Sequence, residues 1–311
     1  MSRVPLSVAS GPYLHVARIG GERAEDELDV RHVVLEPPTI IGRMHRDEAW
    51  DVGEMSLATL YMLADKGDVR FVPIPVFPSR EFRHASLYVR ADGAILKPMD
   101  LCGRTVGVLR YAMTTAVWVR GFLAVQYGVP RAQLHWVVGD DSVHPQSIVM
   151  RRVDGAEALE QMAIKGEIDC LISSRTPKAY LEGKLRRLFS DFGAEEKAFF
   201  ARNGAFPIMH AMAVRRTVVE QQADAISALL RRFESAKHFA EQWLHDFDVS
   251  VYPVPWLAAH VEDAIRRMGD LWPYGLDKNR ATLTVFGQFM ADDELTRGVL
   301  LPEQVFPAAY T

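Results

Sequence analysis

An arginine and a histidine stand side by side just past an apolar strand, in Phe77-Pro-Ser-Arg-Glu-Phe-Arg83-His84-Ala-Ser86. Upstream lies Asp51-Val-Gly-Glu54-Met-Ser56-Leu-Ala-Thr. The two segments bring a carboxylate, a hydroxyl, a guanidinium and an imidazole close to strand ends. Such a set can hold a small anion and move a proton beside it. Arg83 suits a carboxylate, because its planar fork binds one bidentately; a plain salt bridge is the alternative. His84 can donate or accept a proton near neutral pH. As the neighbour of Arg83 on an extended segment, however, it points to the opposite face. Glu54 reads as a helix-start carboxylate favoured by the dipole, with Ser56 as a cap. It reads equally as a general acid whose pKa is raised by burial. Thr114 and Thr115 open a helix, where N–H groups and hydroxyls either bind a carboxylate or cap. Arg175 follows a strand at a loop, as a second anion clamp or an exposed charge. Tyr13 and Tyr111 can contact a ring or a hydroxyl, or simply pack. His210 sits in an apolar strand, where a lone histidine is usually structural.

These residues must be positioned by elements that alternate along the chain. Strands are expected at Leu6–Ala9, Asp29–Leu35, Trp50–Val52 and Phe71–Phe77, the last held to a sheet edge by its prolines. Helices are expected at Thr39–Arg46 and Glu54–Ala64. A second unit starts near Gly93, with strands Thr105–Leu109, Leu134–Val138 and Ile168–Ile172 and helices Thr114–Tyr127 and Ala156–Lys165. Phe206–Arg215 reads as a strand returning to the first unit. Thr217–His245 reads as a long amphipathic helix, followed by mostly helical chain. Strands separated by helices imply an α/β architecture with largely parallel sheets. The expected lobes are 1–92 with 207–311, and 93–206 inserted between them. A cleft between two lobes is the default ligand site.

Bulk properties bound the function. A chain of 311 residues is comfortable for two lobes. The net charge of −4 argues against a nucleic-acid surface. Two cysteines, Cys102 and Cys170, make no disulfide framework. No apolar run approaches the ~18 residues of a membrane span. The first ten residues read as a strand rather than a secretory signal, so a cytoplasmic location is expected. There is no His-Glu-x-x-His pair, no Cys-x-x-Cys and no Walker loop. Gly139-Asp-Asp-Ser-Val-His144 reads as a polar loop rather than a metal site.

Several segments in order carry a resemblance. They are Gly53-Glu54-Met-Ser56-Leu, Ile74-Pro-Val-Phe-Pro-Ser-Arg80, Phe82-Arg83-His84, Val106-Gly-Val, Tyr111, Met113-Thr114, Ala116-Val-Trp118-Val-Arg120-Gly, Phe206-Pro-Ile-Met-His210 and Pro273-Tyr274-Gly275-Leu. On these the chain resembles 4,5-dihydroxyphthalate decarboxylase and its close relatives. The resemblance implies a two-lobed periplasmic-binding-protein type II-like α/β fold, with the ligand cleft between lobes. It implies a cofactor-independent carboxy-lyase whose ligand is a small aromatic carboxylate, with no nucleic-acid or membrane partner and with a homo-oligomer left open. It raises His210 to a cleft residue, beside Glu54 and His84 as catalytic candidates. Ser10, Tyr13, Ser56, Arg83, Tyr111, Thr114, Thr115 and Arg175 are the substrate-binding candidates. Two segments depart from the family pattern. Tyr13-Leu14-His15-Val16 stands where Tyr-Asp-Arg-Thr is expected, and Arg110 and Ala112 flank Tyr111 in place of a glutamate and a glutamine. The exact substrate is therefore left open, as is a solute-binding protein or another lyase on the same scaffold.

The implied chemistry sets requirements. Protonating the ring carbon that bears a carboxylate, para to a hydroxyl, lets carbon dioxide leave and restores aromaticity. The protein must supply a proton donor, a partner for the phenol and a cation for the carboxylate that stays. The leaving carboxylate should not be tightly paired, because ground-state stabilisation does not lower the barrier.

Overall fold

The structure is a computed structural model that describes residues 3–22, 27–140, 143–244 and 252–307. Among these residues the alternating pattern gives two six-stranded sheets. The first contains β1 (Val4–Ser10), β2 (Gly21–Glu22), β3 (Leu28–Val34), β4 (Val52–Ser56) and β5 (Phe71–Arg80). The second contains β6 (Leu87–Arg90), β7 (Thr105–Val108), β8 (His135–Val138), β9 (Met150–Arg152), β10 (Cys170–Ile172) and β11 (Leu185–Arg187). The chain then returns to the first sheet with β12 (Ile208–Arg215). The strand orders are β2-β3-β1-β4-β12-β5 and β11-β6-β10-β7-β8-β9. β1 runs parallel to β3 and β4, whereas β12 lies antiparallel between β4 and β5. The helices are α1 (Pro37–Asp47), α2 (Leu57–Lys66), α3 (Thr114–Tyr127), α4 (Gly155–Lys165), α5 (Lys178–Leu181), α6 (Phe192–Asn203), α7 (Arg216–Gln221), α8 (Ala223–Gln242), α9 (Leu257–Met268), α10 (Arg280–Asp292) and α11 (Pro302–Val305). Among the described residues, no helix is long and apolar enough to cross a membrane.

Several boundaries differ from the sequence reading, each for a local reason. The helix expected from Thr39 begins two residues earlier, where Pro37-Pro38 opens α1 behind an extended Glu36, because proline's fixed φ suits the first helical turn. Glu54 lies in a strand, not at a helix start. Ser56 is extended and α2 begins one residue later, since β4 finds ladder partners in β1 and β12. The long helix divides at Gln222 into α7 and α8; its expected end at His245 lies outside the described residues. β6 already belongs to the second sheet, so by sheet membership the first crossing falls between Arg80 and Leu87 rather than at residue 92. The proline-rich β5 occupies the sheet edge, as its missing N–H donors require.

A single apolar cluster joins residues from both sheets and the helices between them. It holds Met55 and Tyr61 with Val106, Trp118, Phe286 and Phe289. Trp118 Nε1–H donates to the Ile208 carbonyl at 3.0 Å, tying α3 to β12. The Tyr61 hydroxyl donates to the Leu283 carbonyl at 2.9 Å, tying α2 to α10. Beside them lies a buried charge group in which Asp293 accepts from Arg120 at 2.8 Å and from Arg131 at 2.9 Å. Arg120 also stacks on Tyr111 at 3.8 Å.

α3 and α10 touch at Gly121, where an added Cβ would lie 2.0 Å from the Phe289 ring. Gly121→Ala should therefore destabilise the fold by about 1–3 kcal/mol through overpacking. Gly42→Ala, in α1 with nothing within 4 Å of its Cβ position, should instead stabilise by about 0.5–1 kcal/mol. Urea unfolding of both variants checks the pair; equal midpoints would contradict the α3–α10 contact.

Candidate active site

Glu54 is fully buried, so its carboxylate must be compensated by donors within the fold. The Gly11 backbone N–H donates to Oε2 at 2.8 Å, and the Tyr13 hydroxyl donates to Oε1 at 2.8 Å. His210 Nδ1 lies 2.5 Å from Oε1. Topology explains the convergence. Ser56 faces His210 and Glu54 faces Met212 across β4 and β12, so Glu54 and His210 are diagonal neighbours on one face of the sheet. Gly11 and Tyr13 arrive from the end of β1, the parallel neighbour of β4. Gly11 has no room for a side chain, because a Cβ would lie 2.6 Å from the Tyr13 ring. Burial alone pushes the Glu54 pKa up; His210, Gly11 and Tyr13 outweigh it and hold the carboxyl below its ordinary value. Glu54 is thus kept ionised and does not store a proton, contrary to the general-acid reading. Burial and the Glu54 charge push the Tyr13 phenol up, so it stays a hydrogen-bond donor. The His210 side chain keeps 20% exposure, and its Nε2 has no partner among the described residues.

Arg83 brings a guanidinium to the residue next to His210. Its Nε donates to Met209 Sδ at 3.1 Å, while Nη1 and Nη2 make no hydrogen bond or ion pair among the described residues. Burial lowers its pKa, with Glu81 and Glu196 opposing from a distance. Glu196 is itself pushed up to about 7, chiefly by burial and next by the Glu81 charge. The second unit meets this region through the start of α3. Thr115 Oγ1 lies 3.7 Å from Met209 Sδ. Thr114 Oγ1 accepts from the Ala58 N–H at 3.1 Å and shares a hydrogen bond with Ser56 at 2.9 Å. Thr114 therefore caps α2, and Ser56 and Thr114 tie the two units at the cleft.

One wall is built on irregular β5. Its register against β12 shifts on both sides of His210, and such bulges re-aim side chains beside functional sites. The carbonyls freed there find donors elsewhere: Gly275 N–H at Pro75, Trp272 Nε1–H at Phe77, and the His15 ring at Pro78. His15 sits between Tyr13 and Trp272, with ring centroids at 5.5 and 4.8 Å. Arg80 locks the wall by donating to the Pro273 and Phe206 carbonyls and to Asn279.

Four other candidates lie outside this cluster. His84 is 1% exposed, stacked on Phe122 at 4.0 Å and bonded to Gln126 at 3.1 Å. It opens a 3-10 turn, His84–Ser86, and packs into the aromatic core rather than toward Glu54. Tyr111 is buried under Arg120 and against Trp136, so it packs rather than contacting substrate. Arg175 is an exposed charge paired with Glu36 at 3.1 Å. Ser10 is buried, its hydroxyl shared with His32 at 2.8 Å. Gly11, His15, Met209 and Trp272 were not among the candidate site residues, although His15 lay in a segment singled out for departing from the family pattern. Among the described residues, no group of three or more His, Cys, Asp and Glu could hold a metal ion. The Gly139–His144 loop lies partly outside those residues.

Two sheets with a charged cleft region between them define a protein of the two-lobed periplasmic-binding-protein type II-like class. Solved structures agree. A periplasmic sulfonate-binding protein of a sulfonate ABC transporter from Methylobacillus flagellatus matches with TM-score 0.60 and 13% identity, over 99% of this chain and 93% of that one. A periplasmic aliphatic sulphonate-binding protein from Escherichia coli matches with TM-score 0.55 and 14% identity, over 98% of both chains. At such identities the likeness concerns the fold. No protein-family model matches the chain. A curated 4,5-dihydroxyphthalate decarboxylase from Comamonas testosteroni is 33% identical over 326 residues, covering 99% of this chain and 98% of the relative. One from Pseudomonas putida is 31% identical over 204 residues, covering 61% of this chain and 79% of the relative. The chain belongs to the 4,5-dihydroxyphthalate decarboxylase family.

Burial lowers His15 and His84 from 6.5 to about 4 each. Both are neutral in the folded state, and the unfolded chain takes up their protons first as pH falls. Their contribution to stability is therefore complete above about 6.5 and is lost between there and about 4, at most about 3 kcal/mol for His84. Urea midpoints should fall steadily over that interval. Ring resonances of His15 and His84 should titrate below pH 5 (about two units under free imidazole); titration of either near 6.5 would contradict the burial.

Proposed function

We propose that this chain decarboxylates a hydroxylated aromatic dicarboxylic acid of the 4,5-dihydroxyphthalate type to the mono-acid, without an organic cofactor. The observation that carries the reading is the buried Glu54–His210 pair, with an Arg83 whose terminal nitrogens have no partner among the described residues. Family membership supports the reaction and the ligand class. Arg83 binds the carboxylate that stays. His210 Nε2–H gives its proton to the ring carbon bearing the other carboxylate. The carbon–carboxylate bond then breaks, its electron pair returns to the ring and restores aromaticity, and carbon dioxide leaves with the new hydrogen in the carboxylate's place. Glu54 stays ionised throughout, orients the imidazole by its Nδ1–H and balances its positive charge. Solvent returns the proton. A solute carrier needs only anion-binding groups, and a buried carboxylate–imidazole pair would be superfluous to it.

The same proposal includes a cytoplasmic setting, in which Cys102 and Cys170 stay reduced, and two discontinuous lobes that meet at residues 81–86 and 204–207. The ligand lies between them, where the carboxyl ends of strands open onto a crevice.

Release of carbon dioxide from a panel of hydroxylated phthalates and benzoates tests the reading. His210→Gln should lower turnover by roughly 10²–10⁴-fold with little change in ligand affinity. Arg83→Ala should instead weaken binding of the mono-acid product by roughly 10- to 150-fold, the worth of a charge-assisted hydrogen bond. Chelation should leave the rate unchanged. Turnover at the parent rate in His210→Gln would remove His210 from the mechanism, and loss on chelation restored by one added divalent ion would overturn the cofactor-free reaction.

A further inference from the structure

Met209 is 1% exposed and immediately precedes His210 on β12. Its neighbour His210 points to the opposite side of β12, toward Glu54. The Met209 sulfur meets Arg83 Nε at 3.1 Å and Thr115 Oγ1 at 3.7 Å. Within the region that carries the proposed reaction, the acceptors nearest the Arg83 guanidinium are thus unusual. Glu81 and Glu196 act on it only at a distance, and neither forms an ion pair with it among the described residues. A carboxylate at Nε would neutralise the cation and compete with an incoming anion. A thioether is a weak, uncharged acceptor, so it can fix the guanidinium without consuming its charge.

We infer that Met209 is the positioning residue of the anion clamp: its thioether holds Arg83 by Nε and leaves the Nη1–Nη2 edge for the substrate carboxylate. The inference rests on the proposed role of Arg83. Consecutive residues of one strand then serve the two halves of the chemistry, Met209 holding the clamp and His210 the proton. The contact to Thr115 brings the start of α3 against the same sulfur, so the second unit touches the clamp.

The test is a double-mutant cycle on the full-length chain, with the dissociation constant of 3,4-dihydroxybenzoate as the binding readout and kcat for 4,5-dihydroxyphthalate as the control. That mono-acid is what remains after the substrate loses one carboxylate. Met209→Leu keeps an apolar side chain of similar size but has no acceptor. It should weaken the mono-acid roughly 3- to 10-fold, the worth of one modest hydrogen bond, and leave kcat within about twofold. Added to Arg83→Ala, it should cost nothing further, because the sulfur acts only through the guanidinium. Unchanged affinity in Met209→Leu, or an equal additional loss in the Arg83→Ala background, would overturn the inference. If Arg83→Ala itself left affinity intact, the reading of Arg83 would fall, and Met209 with it. Should Met209→Leu not fold, Met209→Gln carries the measurement. Its carbonyl can accept from Nε, so affinity within about threefold of the parent supports the inference, and a larger loss opposes it.

Discussion

The architecture turns on one buried carboxylate. Glu54 has no contact with solvent, and an ion in that position is tolerated only if it is paired and hydrogen-bonded. Its donors come from Gly11, Tyr13 and His210, so β1, β4 and β12 must be assembled before the charge is compensated. A neighbouring group fixes the same strands. Asp51 accepts from Ser7 at 2.7 Å and pairs with Arg215 at 2.5 Å. The strand that returns from the second unit thus completes both the sheet and the site. Without that returning strand, Glu54 would lose its His210 partner and Asp51 its Arg215 partner.

The second unit is held to the first by more than its connecting segments. Ser56, Thr114 and Ala58 join the starts of α2 and α3, and the apolar cluster runs without interruption from Met55 to Trp118 and Phe289. The buried Arg120–Asp293 pair adds a directional tie. Pairs of this kind cost desolvation and give geometry in return. Here they fix α3, whose first turn touches both α2 and the Met209 sulfur.

Much of this was legible in the sequence where a signal was local. Thr114–Tyr127 was placed to the residue, because its apolar run ends at Gly128, which adopts the left-handed cap. Arg83 and His84 do meet different neighbours, Met209 and Phe122, but a 3-10 turn that begins at His84 separates them, not the alternation of an extended segment. β4 was misread as a helix start because Glu54 and Ser56 mimic cap chemistry, while the strand ladder that overrode it is supplied by distant chain. β6, β9 and β11 have three or four residues each, too short for a period to register. α6 does carry a cap at Asp191 and a glycine stop at Gly204, a signal that could have been used. The Glu54–His210 contact spans 156 positions, and no spacing rule reaches that far. The inverted pKa of Glu54 follows from its three donors rather than from its burial, so residue type alone pointed the wrong way. Met209 was hidden because a methionine in an apolar strand looks like filler.

The prolines of β5 have a consequence for the protein in a crowded solution. An edge strand normally offers a row of unpaired amides on which another chain can add. β5 lies at such an edge, yet Pro73, Pro75 and Pro78 have no amide hydrogen to offer. The carbonyls of Pro75, Phe77 and Pro78 are already occupied by Gly275, Trp272 and His15. The strand that shapes the cleft wall is thereby closed to strand addition. The strand is also buried along nearly its whole length, so the protein's own chain already covers the edge that the prolines leave without donors.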